Sequence, residues 1–535
     1  MLVHRGIESP TQATKFLNPK LDHLHDPSLM LGIDRTVRRI FKARDNGEYV
    51  LIYGDYDVDG ITSTVVLKRA LEMINVKVDF HIPRRLEDGY GLKLHLIKEA
   101  HSRGVSLIIT TDSGIREFEV CNAARELGLD LIVTDHHLPD KTLPKAYAIV
   151  NPLQPNCDYP DSNLSAVGVV FKLVQAIFRE IGNEKVVHHF LKLVAIGTIA
   201  DLVPLVGENR VFARLGLEGL SNPRNLGLKI LLEELCLSTQ IQSSDIGFKV
   251  APRINAVTRM GGGREIVDLF SVLEEETARK IVAEMNNKNV RRRRIEQAIL
   301  EELKEQISRE PKLIERKVLV FVGENWHRGV IGIVASRIVD LYYRPTLIFS
   351  LENNSIQGSG RSIPGFHFLD ALNSCRDAFE KFGGHAQAVG CTLQSPNLES
   401  KIKIIEEGLE NYGKRILVED MLIPSLSIDA ILPIQKLSFS LLHEIQCLAP
   451  FGVGNPLPVF ASRKARLVSG PFLIKDTHLK IQIGSEDRPL EAIWWQNGSV
   501  AKKLESVDRI DLAYTLSNEV YRGSSKLLLT IQDIK

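Results

Sequence analysis

Nothing in these 535 residues supplies a C-x-x-C pair, a run of about 20 apolar residues, or an excess of charge of one sign. The six cysteines stand far apart, at 121, 157, 236, 375, 391 and 447, which excludes zinc-ribbon and thioredoxin-type chemistry and offers no disulfide framework. A reducing cytoplasm is the expected location. The longest apolar stretches, at 318–322 and 329–335, are far too short to cross a bilayer, and the opening MLVHRGIESPTQ has no apolar signal core. Sixty-seven Lys and Arg against 66 Asp and Glu leave a net charge of +1. That balance excludes a globally polycationic nucleic-acid coat and leaves room for local basic tracks.

What remains is a folded globular chain, with 44% hydrophobic and 25% charged residues, long enough for three to four domains at roughly 150 residues each. Strand-like runs at 48–54, 76–82, 105–111, 130–134 and 146–150 alternate with helical spacing at 61–74 and 116–127. This alternation predicts an α/β fold with a doubly wound parallel sheet, whose ligands bind beyond the carboxyl ends of the strands. No proline interrupts 253–310, and 274–309 reads as a long charged helix joining two domains. A smaller α/β domain follows, with strands at 317–322 and 346–350 and helices at 329–341 and 367–382. After Pro424 the short strands and turns of 451–456, 479–483, 490–494, 510–516 and 526–532 predict a small antiparallel barrel.

The acidic residues fall at the strand ends. The first strand runs into Asp55, Asp57 and Asp59, the third into Asp112, and the fourth into Asp135-His136-His137; Asp201 follows the apolar run 193–200. Helix capping accounts for one or two of the first three carboxylates but poorly for all three. Carboxylates with one or two imidazoles and no thiolate describe a site for two Mn²⁺ or Mg²⁺ ions, and two such ions suit phosphoester hydrolysis. The pair His188-His189 has no carboxylates near it in sequence and is read as structural.

These motifs, GDYDVDG at 54–60, TDSG at 111–114, DHH at 135–137 and IGTIADLVPL at 196–205, resemble the DHH phosphoesterase superfamily and, within it, the bacterial RecJ single-strand-specific exonucleases. The likeness continues in order through PRRLEDGYG at 83–91, APRINA at 251–256, WHRGVIGIVASR at 326–337, SGRS at 359–362, FGGHAQAVG at 382–390 and PFGVGNPLPVF at 450–460. It implies a DHH catalytic domain at 1–250, a basic segment and long helix at 251–312, a DHHA1 substrate-binding domain at 313–415 and an OB-fold at 425–535.

By the same resemblance Asp57, Asp59, Asp112, His136 and Asp201 hold the two ions with Asp112 bridging, and His137 faces the scissile phosphate. Asp55 joins them in the first or second shell. Tyr53 stands where the superfamily often has histidine, so Asp55 or water would complete that metal. Arg253, Asn255 and Arg259, with Arg361, Ser362, Gly384 and His385 of the second domain, are the implied substrate contacts.

Lys249, Arg253, Arg259 and Arg264 form a basic stretch without an acid, and Gly261-Gly262-Gly263 offers backbone amides for phosphate. In the barrel, Arg463, Lys464, Arg466, Lys475 and Lys480, with Phe472, suit single-strand binding, and Trp494-Trp495 reads as one core and one half-buried residue. The resulting expectation is a single-stranded-DNA-specific 5′-to-3′ exonuclease of recombination and repair, with single-strand-binding protein and a repair helicase as partners. The alternatives are a phosphoesterase of short oligoribonucleotides or cyclic dinucleotides, and an inactive single-strand-binding scaffold. Residues 1 to about 415 are expected to hold the chemistry, and the barrel much of the strand affinity.

Overall fold

The computed structural model describes residues 1–535 except 90, 238, 353–354, 395–396 and 522–523. Tyr90 of the PRRLEDGYG motif therefore lies outside the described residues. The first sheet is built from β1 (Tyr49–Tyr53), β2 (Lys77–His81), β3 (Val105–Thr111), β4 (Asp130–Thr134) and β5 (Ala148–Val150), all parallel, in the order β2-β1-β3-β4-β5. Its apolar residues are buried on both faces, Ile52, Leu107, Ile109 and Ile132 on one and Leu51, Ile108, Leu131 and Val133 on the other, as expected when helices cover both sides. The chain leaves β1 toward β2 on one side and β3 on the other, so the topological switch point lies between β1 and β3.

The helix after β1 spans Val58–Met73, with Asp57 as its N-cap. It begins three residues before the expected position because the Asp57 carboxylate accepts the Gly60 N–H at 2.9 Å. Asp59 is therefore inside the first helical turn. The predicted long helix spans Glu275–Arg309, and its apolar positions, including Val282, Met285, Leu300 and Leu303, serve the first core at one end and the second domain at the other.

The second sheet holds β6 (Leu319–Glu324), β7 (Thr346–Glu352), β8 (Ser355–Arg361), β9 (Lys381–Gly384) and β10 (Ala388–Gln394) in the order β6-β7-β8-β10-β9. Only β6 and β7 are parallel. Two strands not named from the sequence stand here, and one expected helix is cut short. Segments 355–361, rich in glycine and serine, and 388–394 form central strands, and Gly358 and Gly360 of the first let Phe349, Cys391, Val389 and Phe368 pack where any Cβ would intrude. The helix expected over 367–382 is confined to Phe368–Asn373, and the chain re-enters the sheet as β9, which carries Gly383 and Gly384.

The last domain contains β11 (Ala430–Ile431), β12 (Phe460–Ile474), β13 (His478–Ser485), β14 (Arg488–Trp494), β15 (Arg509–Tyr521) and β16 (Ser524–Ile534). Pairing of β12 with β15 closes a barrel. It is not wholly antiparallel, since β14 pairs β16 and β11 pairs β12 in parallel. The barrel is locked to the first domain. The buried Arg210 guanidinium donates to the carbonyls of Leu448 at 2.9 Å, Ala449 at 2.9 Å and Pro450 at 3.3 Å, while its Nε donates to Phe16 O at 2.7 Å. Arg5 reaches Asn455 and Pro456, both at 2.7 Å. The expected division of labour therefore meets a barrel that is braced against the N-terminal segment.

Candidate active site

The three strands next to the switch point end in acids. β1 leads into Gly54-Asp55, β3 into Asp112 and β4 into Asp135, which places the carboxylates on one edge of the sheet. Two glycines permit the approach of the neighbouring helices. A Cβ at Gly60 would lie 2.7 Å from the Asp55 backbone, and one at Gly197 would lie 2.8 Å from Asp59 Oδ1. Gly197 thus lets the helix Leu191–Ala200 press against Val58–Met73 and deliver Asp201, its C-cap, to the cluster. A carboxylate at that end opposes the helix dipole, so capping does not explain Asp201.

Three groupings bring potential ligand atoms within 4.8 Å of one another: Asp55, Asp57 and Asp112; Asp112, His136 and His137; and Asp59, His136 and Asp201. Asp112 belongs to the first two and His136 to the last two. His136 Nε2 lies 3.2 Å from Asp112 and 3.6 Å from Asp201, while its Nδ1 meets the Leu164 carbonyl at 3.1 Å, an arrangement that aims Nε2 into the cluster. Asp59 accepts the N–H groups of Ala166 at 2.6 Å and Val167 at 2.9 Å, at the N-terminus of the helix Ala166–Glu180.

Burial raises the carboxyl pKa values of Asp55 to about 8, Asp59 to about 7 and Asp201 to about 10, with Asp57 or Asp59 adding like-charge repulsion; Asp112 is raised for the same reasons. Burial and the neighbouring His137 hold His136 down at about 4, so its imidazole is neutral. Asp55 Oδ1 is buried without a hydrogen-bond partner among the described residues. An oxygen-rich donor set with a neutral imidazole, crowded past what water-free carboxylates tolerate, fits two divalent cations of the Mn²⁺ or Mg²⁺ kind.

Asp135, which sequence reasoning treated only as part of the DHH motif, differs from the rest. Its buried carboxylate accepts N–H groups from Ile115, His136 and His137 and meets His137 Nδ1 at 2.7 Å. Burial opposes its ionisation, but His137 outweighs burial and lowers its pKa; burial likewise opposes the His137 cation, and Asp135 raises that pKa. By contrast His188 and His189 are exposed in a 3₁₀ turn and join none of these groupings.

A second cluster is cationic. Arg259 is pushed down to about 9 by burial and by Arg85, Arg361 and Arg292, and Arg361 to about 10 by burial and Arg85. Arg259 donates to the Gly329 carbonyl at 2.8 Å, and Arg361 to Gly360 O at 2.7 Å. Arg85 stacks over the Tyr56 ring at 4.7 Å and is close enough to lower Asp55, so the arginines adjoin the carboxylates. Arg85 went unassigned in the sequence although it lies in PRRLEDGYG; two consecutive arginines beyond β2, at the ligand edge of the sheet, were the available signal. Arg292, within the run 291–294 of the long helix, gave none.

The other expected contacts are distributed unevenly. Asn255 and Arg259 line a cavity of about 1470 Å³ between the first domain and the barrel. Arg253 does not line it; its Nε meets Asn286 at 2.7 Å and it donates to Lys249 O at 2.8 Å. Ser362 spends its hydroxyl on Phe366 O at 2.7 Å. Gly384 has φ +138 and a Cβ there would lie 2.3 Å from Ala388 O, so the β9–β10 hairpin requires glycine. The pKa of the next residue, His385, is lowered by burial, then by Arg116, His137 and His367.

Part of the basic stretch is used internally. Arg264 turns to Asp79 and the Phe80 ring, Lys249 pairs with Asp245, and the Gly263 N–H is taken by Glu265 at 2.9 Å. The triple glycine therefore does not present the phosphate cradle expected of it. On the barrel Arg466 and Lys480 pair with Glu486 and Glu491, while Phe472 and Trp495 are about half exposed and Trp494 packs on the core.

Comparison with known proteins agrees with this anatomy. The DHH family N-terminal domain matches residues 49–198, the DHHA1 domain 315–411 and the RecJ OB domain 428–533. The single-stranded-DNA-specific exonuclease RecJ of Bacillus subtilis is 36% identical over 100% of this chain and 67% of its own length, and that of Escherichia coli 33% over 94% and 90%. Crystal structures of Thermus thermophilus RecJ in complex with Mn²⁺ and with Mg²⁺ superpose over 100% of this chain, with TM-scores of 0.85 and 0.78, identities of 27% and 26%, and 75% and 73% of the other chain covered. With the α/β architecture, the ordered carboxylates and the terminal barrel all accounted for, the chain belongs to the RecJ family of single-stranded-DNA-specific exonucleases.

Proposed function

We propose that this protein is a metal-dependent exonuclease that degrades single-stranded DNA from its 5′ end, in recombination and repair. The observation that carries the reading is the carboxylate–imidazole cluster beside the half-buried arginines, of which Arg259 also lines a cavity bounded by the OB barrel. Asp57, Asp59, Asp112, His136 and Asp201 would hold two Mn²⁺ or Mg²⁺ ions, with Asp55 in reserve and Asp112, shared by two groupings, between them. When bound, the ions supply activation of water and neutralisation of charge on the reacting phosphate.

The chain's own residues do the rest. His137, its pKa raised and its ring oriented by Asp135, would face the scissile phosphate and donate a proton toward the leaving oxygen. Arg85, Arg259 and Arg361 would hold phosphate oxygens one step from the ions, and three guanidiniums crowded with little compensating charge favour a doubly charged terminal phosphate. Such a terminal grip makes cleavage exonucleolytic, and we assign it to the 5′ end. Asn255 would add a polar contact in the cavity, and Arg253, beside Arg293, would extend the positive track outside it. Ser362 and Gly384 would hold the segment and the hairpin that present Arg361 and His385.

The same reading takes 1–250 as catalytic, 251–312 as connecting, 313–415 as substrate-binding and 425–535 as strand-binding. Among the described residues two hydrophobic clusters flank the first sheet, two the second, and one fills the barrel, which supports the three folded parts, while the connecting segment gives Ala251 to Met285 to the first core and Ile299 to Ile307 to the second domain. No helix among the described residues is long and apolar enough to cross a membrane, and the described cysteines are unpaired. We take the site of action to be the cytoplasm, and the partners beyond DNA to be single-strand-binding protein and a repair helicase.

The test uses single-stranded DNA labelled at either end, duplex DNA and RNA, each with Mn²⁺ or Mg²⁺. Mononucleotides released in order from the 5′ end of single strands are expected. Cleavage of dinucleotides alone would favour the small-substrate phosphoesterase, and binding without cleavage the inactive scaffold.

A further inference from the structure

Two apolar side chains on the cavity wall lie where burial gives them nothing. Phe248 is 78% exposed and sits in the wide π-helical turn Ile246–Val250, a form that is rare and concentrates at functional sites. Leu202 is 68% exposed and follows Asp201 with φ +62. That backbone conformation is disfavoured for a residue with a Cβ and free of strain for glycine. Both line the cavity that also takes in Arg259 and Arg292 and reaches Leu516 and Asn518 on the barrel.

We infer that Leu202 and Phe248 form the apolar surface on which bases of the incoming strand stack, and that they thereby select unpaired nucleic acid. The inference rests on the nuclease reading above and names the part of the site that handles bases rather than phosphates. The arginines account for the polyanionic backbone, but a single strand also carries π-faces that must leave water somewhere along the cavity. An exposed phenylalanine receives any base, so stacking there adds affinity without sequence preference. A base already paired and stacked in a duplex would first have to leave both arrangements, which costs free energy that a free strand does not spend. Continuity of the cavity with the cationic cluster on one side and the barrel on the other argues for nucleic acid, rather than a peptide or a second copy of the chain, as the occupant.

The experiment uses the full chain with Mn²⁺ and a series of single-stranded 20-mers, phosphorylated at both ends, each carrying one abasic residue at a successive position. One or two positions are expected to lower kcat/KM by roughly 5- to 100-fold, the range a lost stacked base produces. In Phe248→Ala the penalty at one such position should fall below about twofold, because its partner is gone, while Phe248→Trp should keep it. Leu202→Gly should remove a penalty in the same way without lowering the unfolding midpoint. A flat profile in the parent protein, as expected if a peptide or another copy fills the cavity, overturns the inference, and so does an unchanged profile in both variants. A parent inert toward every single strand would instead sink the nuclease reading, and binding of the same abasic series in Ca²⁺, followed by fluorescence anisotropy, would still decide whether bases stack there.

Discussion

Asp135 Oδ1, on a buried carboxylate, and His137 Nδ1, on a partly exposed ring, lie 2.7 Å apart, and Asp135 belongs to none of the three groupings suited to a metal. A carboxylate at the same strand edge as its neighbours is thus a positioning residue. Asp135→Asn keeps the shape but removes the charge that raises the His137 pKa. Metal content should stay within twofold of the parent, measured by elemental analysis. The alkaline limb of the kcat–pH profile should move to lower pH, and kcat near neutrality should fall by roughly 10²-fold if His137 acts as the acid. Loss of metal without a shift in that limb would make Asp135 part of the metal site instead.

Asp112 has φ +63, a conformation that asparagine tolerates better than alanine. Asp112→Asn should therefore fold normally yet lower kcat by roughly 10³-fold or more, since the metal charge acting on the phosphate is a large share of such catalysis. Single-strand affinity, read by anisotropy, should survive. Activity within tenfold of the parent would remove Asp112 from the centre.

The arginine cluster predicts dependence on the terminal phosphate. The parent should degrade a 5′-phosphorylated single strand faster than the same strand with a 5′-hydroxyl, and Arg361→Ala should shrink that ratio by about tenfold or more at unchanged metal content. A ratio unaffected by the substitution would move the grip elsewhere.

The raised carboxyls set the pH dependence of the metal-free protein. Asp55, Asp59 and Asp201 remain protonated in the folded chain up to about 8, 7 and 10, whereas in the unfolded chain they ionise near pH 4. Between those limits the native state binds more protons, so stability is greatest at the acidic end of the window and is lost as pH rises through the folded values. Chemical denaturation in EDTA should thus show falling midpoints from about pH 5 to pH 9. Mn²⁺ should restore them, more strongly at higher pH, and should release protons on binding. A metal effect independent of pH would contradict this account.

Arg210 joins the barrel to the first domain through three carbonyls, those of Leu448, Ala449 and Pro450, and stacks on Phe16 at 3.6 Å. Arg210→Ala should lower stability by about 2–4 kcal/mol. Limited proteolysis should then cut the segment near 417–429 faster. A truncation after residue 415 exposes the same guanidinium, so some loss of activity on 4-mers as well as 40-mers is expected. Loss confined to 40-mers would show that the barrel only binds strand.

Much of this protein is written locally. Five strands of the first sheet, the 35-residue connecting helix and the acids at the strand ends all follow from short-range pattern, because an apolar run bounded by helices has few other ways to be buried. The order of motifs named the family for the same reason. The strand 355–361 was not legible, since its glycines carry no apolar signal and matter only for what packs against them, and 388–394 was passed over although Val389, Cys391 and Leu393 alternate in it. Nor was the parallel closure of β14 on β16, which depends on pairing across more than 30 residues.

The sequence by itself determined which chemical groups are present and at which ends of which strands they stand. Only the tertiary structure decided how they combine: that Gly197 brings Asp201 against Asp59, that Asp135 serves His137 rather than a metal, that Arg85 meets Arg259 and Arg361, and that the triple glycine is occupied by Glu265. The physical reason is that charge, burial and hydrogen bonding act over a few ångströms in space. Sequence pattern reports neighbours along the chain, while the pKa values, the metal groupings and the cavity arise between residues that only packing brings within that range.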